Sequence, residues 1–385
     1  MREVSLIYDE SLASYDFGPT HPFKPQRFTN SIALIRAYGL TERMKIVAPV
    51  PASEEDLLRV HSQEYLETLR TASHDPDRFL ARLGLGTSDN PVFAGMWEAG
   101  MLVCGSAIEC VERVAEGSAD RAFSIAGGLH HAHRSRAAGF CVVNDVAVAI
   151  ARLLEEHPSS RVFYLDIDAH HGDGVQEAFY EESRVMTLSV HESGHYLFPG
   201  TGFPTEVGEG DGKGFAANVP LPPRATDDCY MTVFEEVIAP LAASFSPDLI
   251  VLQAGADAHH SDPLTTLGMT LSGYSLLTSN ICALADDLCR GRLAAFGGGG
   301  YAFATVVPRA WTLLSAHLME VDIPEELPES WEPDFTGSPD MRRPTYLSRD
   351  DEFPVSAIEA SRLYEATMDS VRALKHSLAP YHTLD

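Results

Sequence analysis

The sequence predicts an α/β fold, a single domain with a mostly parallel central β-sheet flanked on both faces by helices. Short apolar runs of strand length recur along the chain, at "AFSIA", "VFYLDI", "VMTLSV", "LIVLQA" and "LAAF". Helical stretches separate most of these runs, which is typical of parallel strands joined by crossover helices. The 385 residues can bury a large core, and no Pro/Ser/Gly-rich linker divides them.

Local signals predict the elements in order. "REVSLIY" predicts the first strand, and "FTNSIALIRAYG" predicts a helix that glycine closes. Ser53 and Asp56 have the spacing of a capping box. A long helix is expected between Pro91 and Gly117, because proline suits a first turn and glycine a helix end. Further helices are predicted at "NDVAVAIARLLEEH" and "LSGYSLLTSNICALADDLCRG".

Composition and charge limit the function classes. With 28 basic and 55 acidic side chains the formal charge is −27. This charge argues against a nucleic-acid partner and mildly favours a cationic one, although solubility alone accounts for it equally well. The 6 cysteines have no CxxC spacing, so neither a thiolate zinc site nor a redox pair is indicated. Without a signal-peptide pattern or a bilayer-length apolar run, we expect a cytoplasmic protein and no membrane partner.

Similar residues follow the ends of several predicted strands. The segments "AFSIAGGLHH", "VFYLDIDAHH", "LIVLQAGAD" and "LAAFGGGGY" each continue into glycine or acid and then offer His, Asp or Tyr. In open α/β sheets the ligand crevice lies beyond the carboxyl ends of the strands. We therefore expect these ends to contribute to one pocket.

The second of these ends predicts metal ligands. Asp166, Asp168 and His170 are spaced by two residues, so in extended backbone they project to the same side. Carboxylate oxygen and imidazole nitrogen suit Zn²⁺, and a catalytic zinc takes three protein ligands and leaves one position open. Asp168 and His170 form the predicted pair, and Asp257, which follows another strand, is the best candidate for the third ligand.

Two carboxylates and one imidazole give a formally neutral metal centre, so a separate base is needed. Adjacent His130 and His131 would supply it. Asp166 and Asp173 would each hold one imidazole by its far nitrogen, which fixes its tautomer and basicity. Tyr301, after a run of glycines that allows close backbone approach, would donate its hydroxyl to a developing oxyanion.

Other motifs give weaker signals. "HESGH" at 191–195 matches the HExxH of zinc proteases, but that motif works on a helix, and the apolar run before it predicts a strand. "GGGGY" is neither GxGxxG nor GxxxxGK[ST], and no GxSxG elbow is present, which disfavours a nucleotide site and a hydrolase triad. His259 and His260 are expected to be solvated loop residues near a pocket mouth, outside the metal shell.

An ordered set of longer motifs closely resembles the zinc-dependent histone deacetylase superfamily, which has the arginase/deacetylase fold. The motifs are "HPFKPQR", "GGLHHA", "GFCVVNDVAVA", "DIDAHHGDGVQEAF", "HESGHYLFPGTG", "GADAHHSDPL" and "GGGGY". Within the superfamily, the bacterial acetoin-utilisation type of deacetylase looks nearest. The resemblance spans roughly residues 1–320. It implies one deacetylase domain over 1–385, in which 321–385 is a C-terminal extension packing on the domain.

The resemblance implies a role for each matching position. Asp168, His170 and Asp257 match the zinc ligands, His130 and His131 match the tandem histidines, backed by Asp166 and Asp173, and Tyr301 matches the tyrosine that polarises the scissile carbonyl. Gly139 and Phe140 match one wall of the acyl-lysine tunnel, Leu197 and Leu264 match other tunnel positions, Asp89 matches a rim aspartate that grips the substrate backbone, and Arg27 matches a basic residue at the inner end, where acetate would leave. Many relatives have an aromatic residue where this chain has Leu197, so the tunnel is expected to be wider or differently shaped.

The resemblance also implies cofactors. One Zn²⁺ per chain is expected, for which Fe²⁺ or Co²⁺ would substitute, and K⁺ is expected near it. The positions that match the inner potassium site are Asp166, Asp168, His170, Ser189 and Val190, and those that match the outer site are Phe179, Glu182, Val185 and Phe215.

The implied reaction is hydrolysis of the acetyl amide of N-acetyl-lysine in proteins or peptides, with release of acetate. His131 would act as base and then as acid, His130 would act mainly through its charge, and Tyr301 would hold the oxyanion. The nearest family type implies an acetylated metabolic enzyme such as acetyl-CoA synthetase as substrate. Three alternatives stay open: an acetylpolyamine amidohydrolase, an arginase-like hydrolase with two manganese ions, and a catalytically silent protein that binds an acetylated ligand.

Overall fold

The computed structural model describes residues 2–75, 79–337, 342–350 and 353–383, and these form an α/β fold. All strands in these residues belong to one eight-stranded sheet of order β2-β1-β3-β8-β7-β4-β5-β6. Every described pair of neighbouring strands is parallel. The strands are β1 (Val4–Ile7), β2 (Lys45–Val47), β3 (Arg121–Ser124), β4 (Val162–Asp166), β5 (Val185–Glu192), β6 (Ala216–Leu221), β7 (Leu249–Gln253) and β8 (Leu293–Phe296). The predicted fold class is confirmed.

Helices cover both faces of the sheet. They are α1 (Gln26–Ala37), α2 (Glu54–Leu58), α3 (Gln63–Ala72), α4 (Met96–Ala115), α5 (Asp145–Glu156), α6 (Asp173–Ala178), α7 (Asp227–Val233), α8 (Ala239–Phe245), α9 (Leu271–Cys289), α10 (Val307–Met319) and α11 (Ala357–Leu378). Helix α4 packs on α5 and contacts β1, β3 and β8, whereas α10 packs on α1 and α9 and also contacts β3. The strands between these layers are buried along their whole length, which explains their continuous apolar sequence.

Several predicted local signals are present. Ser53 caps α2, and its side chain and that of Asp56 form the reciprocal bonds of a capping box. Gly117 follows the end of α4 with a φ of 76°, which suits glycine. Helix α4 itself begins later than expected, at Met96, after a turn that starts beyond Pro91. The cysteines are all buried free thiols.

The sequence pattern missed both edge strands. Strand β2 has only three residues, and two of them are exposed, so it has no apolar run. Strand β6, "AANVPL", contains Asn218 and Pro220, which disfavour a strand. Its pairing with β5 holds it in the sheet, and Pro220 is tolerated because an edge strand does not need every N–H.

The C-terminal segment covers the β6 edge. Helix α11 contacts β6 and α7, and the Ser370 hydroxyl donates to the Pro220 carbonyl at 2.6 Å. Lys375 pairs with Glu236 at 2.8 Å, and His382 Nε2 lies 2.8 Å from the Gly214 carbonyl. Parts of the predicted extension, 338–341, 351–352 and 384–385, lie outside the described residues. None of the helices in the described ranges is both long and apolar enough to cross a membrane.

Candidate active site

The candidate active site lies at the carboxyl ends of four neighbouring strands, β3, β8, β7 and β4. His130 and His131 follow β3, and Tyr301 follows β8. Asp257 follows β7, and Asp168 and His170 follow β4. The strand order therefore brings together four segments that are well separated in the chain, at the edge where parallel sheets bind ligands.

Asp168, His170 and Asp257 form a buried group whose ligand atoms all lie within 4.8 Å of one another. His170 Nδ1 is 3.0 Å from Oδ2 of Asp257 and 3.2 Å from Oδ1 of Asp168. Backbone amides fix both carboxylates, since Gly299 N–H donates to Asp168 at 2.6 Å and Ala169 N–H to Asp257 at 2.8 Å. The three side chains thus converge with their donor atoms already oriented.

Glycine is required beside this group. A Cβ at Gly299 would lie 2.1 Å from Oδ2 of Asp257, and a Cβ at Gly255 would lie 2.4 Å from Oδ2 of Asp168. Any side chain at either position would displace a carboxylate. The glycines that the sequence places at the strand ends therefore serve close packing of backbone against the acids.

The charge of the group fits a divalent cation. Both carboxylates are 0% exposed. Burial, followed by the nearby charge of Asp168, raises the pKa of Asp257 to about 6. Buried like charges of this kind are unfavourable unless a positive charge compensates them. Two carboxylate oxygens and one imidazole nitrogen are a donor set that suits zinc, and His170 borders open space. The residues present therefore fit the expected metal.

Two His–Asp pairs flank the metal group. His130 Nδ1 lies 2.8 Å from Oδ2 of Asp166, which also accepts a 2.6 Å hydrogen bond from the Tyr164 hydroxyl. His131 Nδ1 lies 2.7 Å from Oδ1 of Asp173. These bonds leave Nε2 of each ring to face the site, which is the arrangement that sets tautomer and orientation in acid–base histidines.

The surroundings shift the pKa values of the two histidines in opposite directions. Burial alone would lower the pKa of His130, but the charges of Asp166 and Asp168 outweigh it and raise the pKa to about 9. Burial and then the positive charge of His130 lower the pKa of His131 to about 3. The carboxylates around His130 therefore favour its protonated form, whereas burial favours a neutral His131 that is able to accept a proton.

Tyr301 faces the same space. Its ring lies edge-on to Phe140 at 5.7 Å between centroids and at 6.5 Å from the His170 ring. Burial raises the pKa of the Tyr301 phenol well above its ordinary value, as do the charges of Asp257 and Asp168. The hydroxyl therefore remains protonated and available as a hydrogen-bond donor.

A narrow cavity of about 240 Å³ leads from the surface to these groups. It is lined by Asp89, His131, Gly139, Phe140, His170, Leu197, Phe198, Leu264 and Tyr301. Phe140 has a φ of 67°, a strained value for a bulky residue, and the Tyr15 hydroxyl holds its carbonyl at 2.9 Å. The predicted wall residues Gly139, Phe140, Leu197 and Leu264 all line this cavity.

Phe198 is a wall residue that the sequence did not predict. Its ring lies 5.0 Å from that of His131 and 6.5 Å from that of His170. It supplies a second aromatic ring to the tunnel lining, next to Leu197 and in addition to Phe140. The signal was present in "YLFPGTG", where the aromatic residue comes one position later than expected.

A wider groove of about 730 Å³ adjoins the tunnel mouth. Asp89, Gly139 and Phe198 line both spaces, so Asp89 stands at the junction. Further along, the groove is lined by His133, Glu177 and Glu206 among others.

Two sequence features outside this site have structural roles. His191 of "HESGH" lies in strand β5 rather than a helix, and its ring nitrogens contact the Ser189 hydroxyl and the Gly202 carbonyl. The expectation that His259 is solvated was wrong: it is 4% exposed, Nδ1 accepts from Ser261 N–H, and Nε2 lies 3.0 Å from Asp350. His259, His260 and Asp350 could by position hold a metal. Because both nitrogens of His259 are engaged within the chain, the group serves to fasten the C-terminal segment.

Comparison with known proteins agrees with this geometry. The histone deacetylase domain family matches residues 21–318. The chain belongs to the histone deacetylase family. It is 42% identical over 333 residues to the acetoin utilization protein AcuC of Bacillus subtilis, a match that covers 86% of each chain. It is 34% identical to the protein of the same name from Staphylococcus xylosus, over 95% of each chain. It is 38% identical to histone deacetylase clr6 of Schizosaccharomyces pombe, over 85% of this chain and 79% of the relative.

The chain is thus a hydrolase of the deacetylase type, and its predicted kinship with the acetoin-utilisation type is confirmed. Among the remaining residues expected for such a deacetylase, Arg27 is 1% exposed and packs its guanidinium over the Phe23 ring at 4.3 Å. Its Nε and Nη1 have no hydrogen-bond partner in the described part of the chain. A buried guanidinium with open donors favours an anion beside it, such as acetate.

The expected potassium positions share Asp168 and His170 with the metal group, and the others lie on β4 and β5 and in the segments between α6 and β6. Ser189 is paired with Asp166 in adjacent strands, and Val190 follows it. Phe179 and Glu182 share a turn through a 3.0 Å backbone bond, and the Phe215 carbonyl accepts from Thr187 N–H at 2.9 Å near Val185. Potassium binding at these positions stays a prediction.

Proposed function

We propose that this deacetylase hydrolyses the acetyl amide of N-acetyl-lysine in proteins or peptides and releases acetate. The observation that carries the proposal is the shape of the site. A tunnel of about 240 Å³ ends at His131, His170 and Tyr301, and at its mouth it opens into a groove of about 730 Å³. The tunnel suits an extended acyl-lysine side chain, and the groove suits the polypeptide that carries it.

Asp168, His170 and Asp257 would hold a divalent cation, with zinc as the expected metal. When bound, that cation would supply Lewis-acid polarisation of the acetyl carbonyl and acidify the attacking water. The chain's own residues supply proton transfer and orientation.

His131 is suited to act as the base. Its neutral imidazole, held by Asp173, would take the proton from the attacking water and then deliver it to the departing amine nitrogen. His130, in its protonated form, would stabilise the negative charge that develops on the carbonyl oxygen. The Tyr301 hydroxyl would donate to the same oxygen, and the aromatic walls Phe140 and Phe198 would exclude bulk water.

An acetylpolyamine amidohydrolase is the second candidate. Asp89 at the tunnel mouth would attract the free ammonium group of a small acetylated amine as well as it would accept from a peptide N–H. The groove favours the peptide, because a small amine would fill the tunnel and leave the groove unused. Acetylated acetyl-CoA synthetase is the first protein substrate to test, and we place the reaction in the cytoplasm.

The test compares acetate release from three substrates by the zinc-loaded protein. Acetylputrescine, free N-acetyl-lysine amide and an acetyl-lysine peptide with three residues on each side are assayed at equal concentrations. The proposal predicts the highest kcat/KM for the peptide and a smaller value for the amide. Faster turnover of acetylputrescine than of every peptide would favour the second candidate, and no acetate from any substrate would favour a binding protein.

A further inference from the structure

A third histidine contacts the aspartate that orients His131. Asp173 lies between two imidazoles: its Oδ1 is 2.7 Å from Nδ1 of His131, and its Oδ2 is 3.2 Å from Nε2 of His133. On its other side, His133 Nδ1 lies 2.6 Å from Oε2 of Glu177. The geometry between Nε2 of His133 and Oδ2 of Asp173 is not that of a hydrogen bond, so the interaction is chiefly electrostatic.

The local fold builds this arrangement. Asp173 begins α6 and Glu177 lies four residues later, so both carboxylates project from one face of the helix toward the same ring. The backbone of His133 is fixed independently of its side chain. Its N–H donates to the Arg136 carbonyl at 2.9 Å, and its carbonyl lies 3.0 Å from Nδ1 of His61. The ring therefore lies between two carboxylates, and hydrogen bonds hold the backbone that carries it.

Flanking by two acids makes His133 a cation. Burial alone would lower its pKa, but the contacts with Asp173 and Glu177 outweigh burial and raise the pKa to about 9. Burial likewise opposes ionisation of Asp173, yet the contacts with His131 and His133 hold its pKa well below the usual range. Each carboxylate oxygen of Asp173 thus faces an imidazole nitrogen, Oδ1 that of His131 and Oδ2 that of His133.

We propose that His133 is a positioning residue: held by Glu177, its imidazolium fixes Asp173 in the orientation that places Oδ1 on Nδ1 of His131. Without it, Oδ2 of Asp173 would face the groove, which His133 and Asp173 both line, and water would compete for the carboxylate. His131 would then lose its fixed tautomer and its aim into the tunnel. The inference rests on the proposed role of His131 in proton transfer. It adds His133 and Glu177 to the residues that support this role.

The kinetic test compares His133→Gln, His133→Lys and Glu177→Gln with Arg134→Gln. The last is a matched control, because it removes a cation from an exposed neighbouring position. His133→Gln is expected to lower kcat about tenfold with KM unchanged, a typical loss for a partner that orients a catalytic group. His133→Lys, which keeps the charge, should recover most of that loss, and Glu177→Gln should fall between them. Wild-type kcat in His133→Gln, or equal losses for Gln and Lys, would overturn the proposal.

A second measurement does not depend on turnover. Imidazole ¹⁵N signals of the zinc-loaded wild-type protein are followed by NMR from pH 5 to 10, and His133 is assigned by its loss in His133→Gln. The proposal predicts that His133 stays doubly protonated beyond pH 8 and that Glu177→Gln lowers its pKa. A His133 that titrates near pH 6.5 would refute it. If the wild type releases no acetate from any acetyl-lysine substrate, the proposed function fails, but the NMR titration still tests whether His133 is protonated between the two carboxylates.

Discussion

The backbone N–H of Tyr301 donates a 2.7 Å hydrogen bond to Oδ2 of Asp262. The other oxygen of Asp262 accepts from Leu264 N–H at 2.9 Å. One buried carboxylate therefore joins the glycine turn that carries the phenol to the loop that carries Asp257 and a tunnel wall. The backbone of Tyr301, held by Asp262, positions the side chain. The hydroxyl can therefore be removed without moving the metal group.

Tyr301→Phe is expected to lower kcat about a hundredfold or more, because it removes one donor to the oxyanion. Metal content should be unchanged, since Tyr301 contributes no ligand atom to Asp168, His170 or Asp257. Acetate release and metal analysis on the same preparation check both. A variant with near-normal kcat would refute the role assigned to the phenol.

Gly299→Ala tests the close packing behind the metal group. The added methyl would lie 2.1 Å from Oδ2 of Asp257, so the carboxylate must shift. We expect zinc affinity to fall about tenfold or more, as measured by competition with a chelator. Gly117→Ala is the control, because it also removes a glycine but has no atom within 4 Å of the added Cβ. Unchanged zinc affinity in Gly299→Ala would contradict the structure of this turn.

Phe198→Ala should widen the tunnel. Removing a ring that packs 5.0 Å from His131 is expected to lower kcat/KM for acetyl substrates about tenfold and to raise the relative rate on longer acyl groups. Tyr196→Ala serves as the control, since that ring is 70% exposed. If the ratio of butyryl to acetyl turnover were the same in Phe198→Ala and the wild type, Phe198 would not be a tunnel wall.

His61 makes stability depend on pH. Its Nε2 accepts from Asn144 N–H, its Nδ1 faces the His133 carbonyl, and burial lowers its pKa to about 4. The unfolded chain therefore binds this proton more readily than the folded chain. The contribution is fully present above the ordinary pKa of about 6.5 and is lost as pH falls toward 4, by about 3 kcal/mol in all.

The check compares the free energy of unfolding at pH 7.5 and pH 4.5 for the wild type and His61→Gln, which keeps one donor and one acceptor. The wild type should lose more stability over this interval than the variant does. An equal loss in both proteins would show that His61 is not held neutral by its surroundings.

The sequence predicted the features that depend on short-range pattern. Buried strands have continuous apolar runs, which mark where each strand ends. Residues directly after these runs, such as Asp168 and Asp257, could therefore be placed at the carboxyl edge of the sheet. The sequence did not predict β2 and β6, because pairing with neighbouring strands rather than composition stabilises them. It also did not predict the contact of His133 with Asp173, forty positions further along the chain, because only the packing of the β3 loop against α6 creates it.

The central claim is that Asp168, His170 and Asp257 together hold one catalytic cation, and metal analysis of purified protein tests it most directly. Mass spectrometry of the wild type should find one zinc-type ion per chain. Asp257→Ala should lose that ion and acetate release together, whereas Asp228→Ala, at an exposed position on α7, should keep both. Two divalent ions per wild-type chain, or an Asp257→Ala protein that retains its divalent ion and full activity, would contradict the account.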